Sequence, residues 1–351
     1  MTLTPGSELT ELGSVVRHED GALLLPGAEE ATVGVGPYQL AWRRLRRNRS
    51  ALIFGGLFVL IVLACLLAPV YADHIADTGP NANHISEVIT IGGHQKDVVS
   101  LTGTPIGPTW HSHFFFGADA NGRDVAVRLL YGGRNSLEIA AVATLITIGI
   151  GTIVALVAGY FGGWADNVLS RLLDLIWAYP VLLLGVALGV SLSISGLDLG
   201  LFTLKGGSDI VPALIIGVVY IPYVARPIRG EVLSLRNREF VDAARALGAG
   251  RLRIMFSEIL PNLANTLVVF IALQLAQSII LEASLSFLGA GVQAPNSSWG
   301  TMLQSGVSLL ETAPHLTAVP GVMLVLAVLS VNIVGDGLRR ALDPRARVTI
   351  K

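Results

Sequence analysis

Six apolar runs, at 51–70, 137–160, 172–193, 210–225, 263–281 and 316–334, constrain this chain more than anything else in it. Crossing the hydrocarbon core of a bilayer takes about 20 apolar residues of helix, with a range of about 17–25. Five runs reach that length, and the fourth is short and carries Pro212 and Pro222. Hydrocarbon offers no water to backbone N–H and C=O groups, so such runs fold as helices. Proline is tolerated there where neighbouring groups satisfy the freed carbonyl. Charged residues are only 14% of the chain, against about 25% in soluble domains. The expected fold is an all-α polytopic membrane protein with six transmembrane helices.

Lys and Arg orient such helices, because cytoplasmic loops hold them in excess. With the N-terminus inside, 19 of the 24 basic residues fall in cytoplasmic segments and five outside. The opposite orientation would export the basic majority. Both termini are therefore expected in the cytoplasm, and no cleavable signal peptide is visible. Residues 1–40 are polar and acidic, with scattered Gly and Pro, and are expected as a disordered cytoplasmic tail. Residues 41–70 hold Arg43, Arg44, Arg46, Arg47 and Arg49 and the first span. Residues 71–136 read as an extracytoplasmic loop. Residues 137–338 read as a five-helix core with a cytoplasmic loop at 226–262, and 339–351 as a basic cytoplasmic tail. The net charge of −1 leaves no basic field for nucleic acid.

The loop at 226–262 has its own local logic. Residues 238–246 favour helix, being rich in Ala, Arg and Glu. Gly248 follows, suited to the positive φ of a helix C-terminus. A second short helix is expected over 251–260. Pro261 needs no backbone donor and fits the first turn of the next helix. Ala243, Ala244 and Ala246 form a small-residue face that another protein can approach closely. The alternative is a basic loop that touches only anionic lipid.

Asp242-Ala243-Ala244, then Gly248, then Leu260 and Pro261 follow one another at a distinctive spacing. It resembles the "EAA" loop of ABC-importer permeases, on which a cytoplasmic ATPase docks in that family. Asp242 replaces the usual Glu, and Glu258 stands where the general pattern has an apolar residue. Other segments are similar to dipeptide and oligopeptide importer permeases. They are the basic run from Arg43 to Arg49, Phe116 to Val125 (FGADANGRDV), Leu130 to Leu137, Gly159 to Asp166, Ala178-Tyr179-Pro180, Ser284 to Gly291, and Trp299-Gly300. Together they cover most of residues 40–345. The acidic tail and an insert near 81–108 fall outside.

The resemblance is to the C-type of the two paired subunits of the dipeptide/oligopeptide/nickel family. It implies a type I ABC-importer permease core in the bacterial cell membrane. The implied partners are a homologous B-type permease subunit, cytoplasmic ABC ATPase subunits and an extracytoplasmic substrate-binding protein. The implied activity is import of dipeptides or oligopeptides, by coupling a partner's ATP hydrolysis to alternating access. ATP and Mg would be bound by the ATPases, with no cofactor or metal on this chain. No Gly-x-x-x-x-Gly-Lys-Ser/Thr phosphate loop is present, so the chain is expected to be non-catalytic.

Gln274, Gln277 and Ser278 are spaced to share one face of the fifth span. That face is either hydrogen-bonding glue between helices or a weakly polar lining of the pathway. Asp174 is expected to be neutralised by Arg171, one turn earlier. The turn at Asp119 to Gly122 lacks the full calcium-loop pattern. His74, His84, His94, His111 and His113 are irregularly spaced and read as a solvated loop. Cys65, alone in an apolar run, reads as a filler. The competing function is an ion-gradient-driven secondary transporter or channel, which would need central ionisable residues and inverted repeats. An intramembrane enzyme would need a nucleophile–base or metal constellation, and none is visible.

Overall fold

The computed structural model describes residues 37–91, 93–198, 203–204 and 207–342. The tail expected at 1–40 lies outside them as far as residue 36, as does 343–351 of the expected basic tail. The first elements are a basic helix α1 (Pro37–Arg47), the first span α2 (Arg49–Leu66) and a short α3 (Ala68–Tyr71). Asn48 starts α2 by accepting a hydrogen bond from the Ala51 N–H at 3.2 Å.

Helix α4 (Val125–Phe161) has 37 residues and is about 55 Å long. It starts twelve residues before the apolar run at 137–160, so 125–136, expected as loop, is helical. Asp124 sets that start. Its Oδ1 accepts from the N–H groups of Ala126 (2.8 Å) and Val127 (3.1 Å), and its Oδ2 from Phe114 N–H (2.7 Å). Arg128, Arg134 and Asn135 hid this segment from a hydropathy count.

The loop before α4 is a folded lobe. It contains an antiparallel hairpin of β1 (Val88–Ile91) and β2 (His94–Asp97) and a small core of Val98, Phe114 and Ala118. Asp119 holds its turn by accepting from Asn121 N–H and Arg123 N–H and pairing with Arg123 at 2.7 Å. His84, expected as solvated, instead bonds Thr78 (2.8 Å) and Glu87 (2.6 Å).

The third apolar run does not fold as one straight helix. It is split between α5 (Gly163–Trp177) and α6 (Val181–Ser195), whose axes differ by 84°. Pro180 cannot continue α5, and it pushes Tyr179 out of helical geometry. The Trp177 ring stacks on Tyr223 (4.4 Å, 15°), and the Arg226 guanidinium lies 4.2 Å from the Trp177 ring centre. Arg226, not Arg171, pairs with Asp174. The fourth run becomes α7 (Ile210–Val219) and α8 (Ile221–Leu235), bent by 40° around Tyr220 and running ten residues past 225. A minor hairpin of β3 (Leu197–Asp198) and β4 (Thr203–Leu204) joins α6 to α7.

The remaining helices are α9 (Glu239–Ala246), α10 (Arg251–Arg253), α11 (Leu260–Phe287), α12 (Trp299–Val307) and α13 (His315–Leu342). A π-helical turn, Ile254–Ile259, fuses α10 to α11. The separate helix expected at 251–260 is thus one end of a continuous 37-residue rod, Arg251–Phe287. Pro261 lacks an N–H and its ring would crowd the carbonyl four residues back. The wider π turn relieves that conflict.

Among the described residues four helices are long and apolar enough to cross a membrane, or six spans when each bent pair counts as one. Helix α4 is central, packed against α2, α7, α8 and α11. Small residues permit close approach, as they do in membrane bundles. A Cβ on Gly159 would lie 2.7 Å from the Val232 side chain of α8.

Candidate functional site

Two features come together at one end of the α11 rod. The first is α9. Glu239 and Asp242 lie in its first turn, where negative charge suits the helix dipole. Its C-terminus closes with Gly248 at φ +82°. The Gly248 N–H bonds Arg245 O (2.9 Å) and the Ala249 N–H bonds Ala244 O (3.0 Å). This pair of bonds defines a Schellman motif, and it fulfils the expectation for Gly248. Arg245 also pairs with Asp242 at 2.9 Å.

Val241 is fully buried and roots α9 on Ile254, Met255, Ile259 and Leu263. The three alanines do not share one exposed face. Ala243 and Ala246 are exposed, while Ala244 is half-buried against the same core. The exposed face is instead extended by Leu247, 88% exposed, with Leu252 and Phe256 beyond it. Those apolar side chains were missed in the sequence, because their exposure is set by how α9 packs on the π turn. Glu258 and Leu260 are half-buried in the π turn and the start of α11, and Pro261 is exposed.

The second feature is a groove along α11. Its inner part, about 400 Å³, is lined by Tyr220, Tyr223, Phe270, Leu273, Gln274 and Gln277. A second cavity of about 540 Å³ shares Phe270 and Leu273 with it and adds Glu231, Asn262, Thr266 and Arg339. The two form one groove of mixed polar and apolar lining, whose α9 end is the wider and more polar.

The face shared by Gln274, Gln277 and Ser278 divides into two roles. Ser278 is completely buried and accepts from Thr144 of α4 (3.3 Å) and from Gln274 Nε2 (3.3 Å). Gln277 is exposed in the groove, and Gln274 belongs to both settings. Sequence reasoning also missed Asn262, Asn265 and Thr266. Their spacing of three to four residues extends the polar stripe of Gln274 toward the rod's beginning.

Two ion pairs tie α5 to α8, Asp174–Arg226 and Asp166–Arg229, the latter through Nε and Nη2 on one edge of the guanidinium. Glu282 was overlooked because the fifth run ended at 281. It is completely buried in α11, where it accepts from Ser286 Oγ at 2.7 Å.

Residues 148–348 match the family model for the binding-protein-dependent transport system inner membrane component. The chain belongs to that family. Residues 36–85 match the N-terminal TM domain of oligopeptide transport permease C, which makes it a C-type permease of the dipeptide/oligopeptide group. The glutathione transport system permease protein GsiD of Pectobacterium atrosepticum is 35% identical over 89% of this chain and 92% of that protein. The dipeptide transport system permease protein DppC of Alkalihalophilus pseudofirmus is 33% identical over 92% of this chain and 94% of that protein. The oligopeptide transport system permease protein OppC of Haemophilus influenzae is 38% identical over 68% of this chain and 73% of that protein. A solved structure, the inward-facing MetNI methionine ABC transporter, aligns with 62% of this chain and 96% of that chain, at TM-score 0.48 and 20% identity. This permease is accordingly a multi-pass membrane component of an ABC importer, a class that works with ATPase and binding-protein partners.

Proposed function

We propose that this permease is the C-type half of an ATP-driven peptide importer and that it couples ATP hydrolysis in partner subunits to alternating access. The observation that carries this reading is continuity. Val241 of α9 is buried against the π turn, and that turn runs unbroken into α11, whose side chains line the groove. A displacement of α9 by a docked ATPase therefore reaches Phe270 and Gln274 through one rod. Asp242, Ala243, Ala244, Gly248, Glu258, Leu260 and Pro261 form or support the docking surface. ATP and Mg act in the ATPase, and this chain contributes no hydrolytic group.

A homologous B-type subunit closes the groove from its open side. The uncharged Gln274 and Gln277 give a peptide delivered by an extracytoplasmic binding protein weak, passing contacts. Both termini and the 226–262 loop are cytoplasmic, in keeping with the distribution of basic residues. The test replaces Gly248 by Val and Ala243 by Arg in the assembled importer. Left-handed backbone costs a non-glycine residue about 1–2 kcal/mol, so Gly248→Val weakens the loop. Membrane insertion should persist while ATPase copurification and transport fall at least about tenfold. Normal transport in both variants would remove the docking assignment.

A further inference from the structure

The wide end of the groove holds two opposite charges that do not meet. Glu231 of α8 and Arg339 of α13 line the same cavity of about 540 Å³, with Asn262, Asn265 and Thr266 of α11 also on its wall. Glu231 Oε1 accepts from Thr266 Oγ1 at 3.0 Å. Among the described residues neither Glu231 nor Arg339 forms an ion pair. We infer that this end of the groove is a low-affinity site for the two charged termini of a short peptide, with Glu231 facing the ammonium group and Arg339 the carboxylate.

Charge complementarity selects this ligand class. A neutral solute leaves both charges uncompensated, an anion meets Glu231, and a divalent cation meets Arg339. A zwitterion satisfies both, and the Asn and Thr side chains supply donors and acceptors for the amide groups of its backbone. The cavity opens to solvent, so each ion pair is screened and weak. Weak binding suits a point of release. The inference rests on the peptide-import reading above and adds recognition of the end groups to it.

The test uses the complete importer in proteoliposomes. Short peptides are added on the side that bears α9, where they bypass the binding protein, and inhibition of the transport-coupled ATPase is measured. The probes are a tripeptide with free termini and its N-acetyl, C-amide and doubly blocked forms. The free peptide should inhibit at concentrations lower by about threefold for each unblocked terminus. Glu231→Gln keeps an acceptor for Thr266 and should abolish only the preference for a free amino terminus. Arg339→Gln should abolish only the preference for a free carboxylate. Equal inhibition by free and blocked peptides in the unmodified importer overturns the inference without calling on any variant. So do end-group preferences that survive both substitutions. An importer that transports no peptide at all would instead sink the peptide reading on which the inference stands.

Discussion

The two ends of α11 are built oppositely although they belong to one helix. At the Phe287 end the helix packs closely against the start of α12. Ser286 Oγ donates to Glu282 and accepts from Val292 N–H at 3.0 Å. The start of α12 sits so close that a Cβ on Gly300 would lie 2.3 Å from the Ala283 carbonyl oxygen. Trp299 is buried there, its ring N–H donating to Leu129 O at 3.1 Å. At the Leu260 end the helix shows amides, a hydroxyl and open volume. Ser278 and Thr144 mark the boundary between the two halves. One end of the rod is therefore an anchor, and the other opens onto the groove.

The sharpest way to break this comparison is to overfill the anchor. Gly300→Ala pushes a methyl group into backbone and should cost about 1–3 kcal/mol, read as lost yield and a lower unfolding temperature in detergent. If the variant is as stable as the parent, the anchor is not tightly packed. The next effect separates the two roles on the amide face. Ser278→Ala should lower stability by about 0.6–2 kcal/mol and leave transport per folded complex unchanged. Gln277→Ala should do the reverse, changing transport rate or size limit with little change in unfolding temperature. Identical behaviour of the two would mean that the boundary at Ser278 is not real. The smallest effect is expected at Asp174→Asn. That ion pair is largely exposed, so its loss should cost about 0–1 kcal/mol. The bend beside it should persist, because Pro180 and the Trp177–Tyr223 stack remain. Abolished transport in Asp174→Asn would show that the pair does more than brace α5 against α8.

Much of the Leu260 end and of α9 beside it was legible in the sequence. Gly248 required no tertiary information, because a helix of good formers followed by glycine closes in the left-handed region for local steric reasons. The family followed from ordered motifs along the chain. Glu282 was less accessible. A hydropathy window ends a span at the first charge, and it does not register that three serines, Ser136, Ser286 and Ser298, surround the carboxylate. Leu247 carries no local signal of its role, and only its exposure shows it as part of a surface.

The sequence by itself determined the number of apolar runs, the basic residues that flank them and the position of the α9 turn. Each depends on length, charge or local backbone preference. Only the tertiary structure decided that the third run turns through 84°, that Asp174 meets Arg226 rather than Arg171, and that α10, the π turn and α11 form one rod. It also decided which members of one amide face are glue and which line the groove. Helical periodicity states which residues share a face, and the neighbouring helices settle what that face meets.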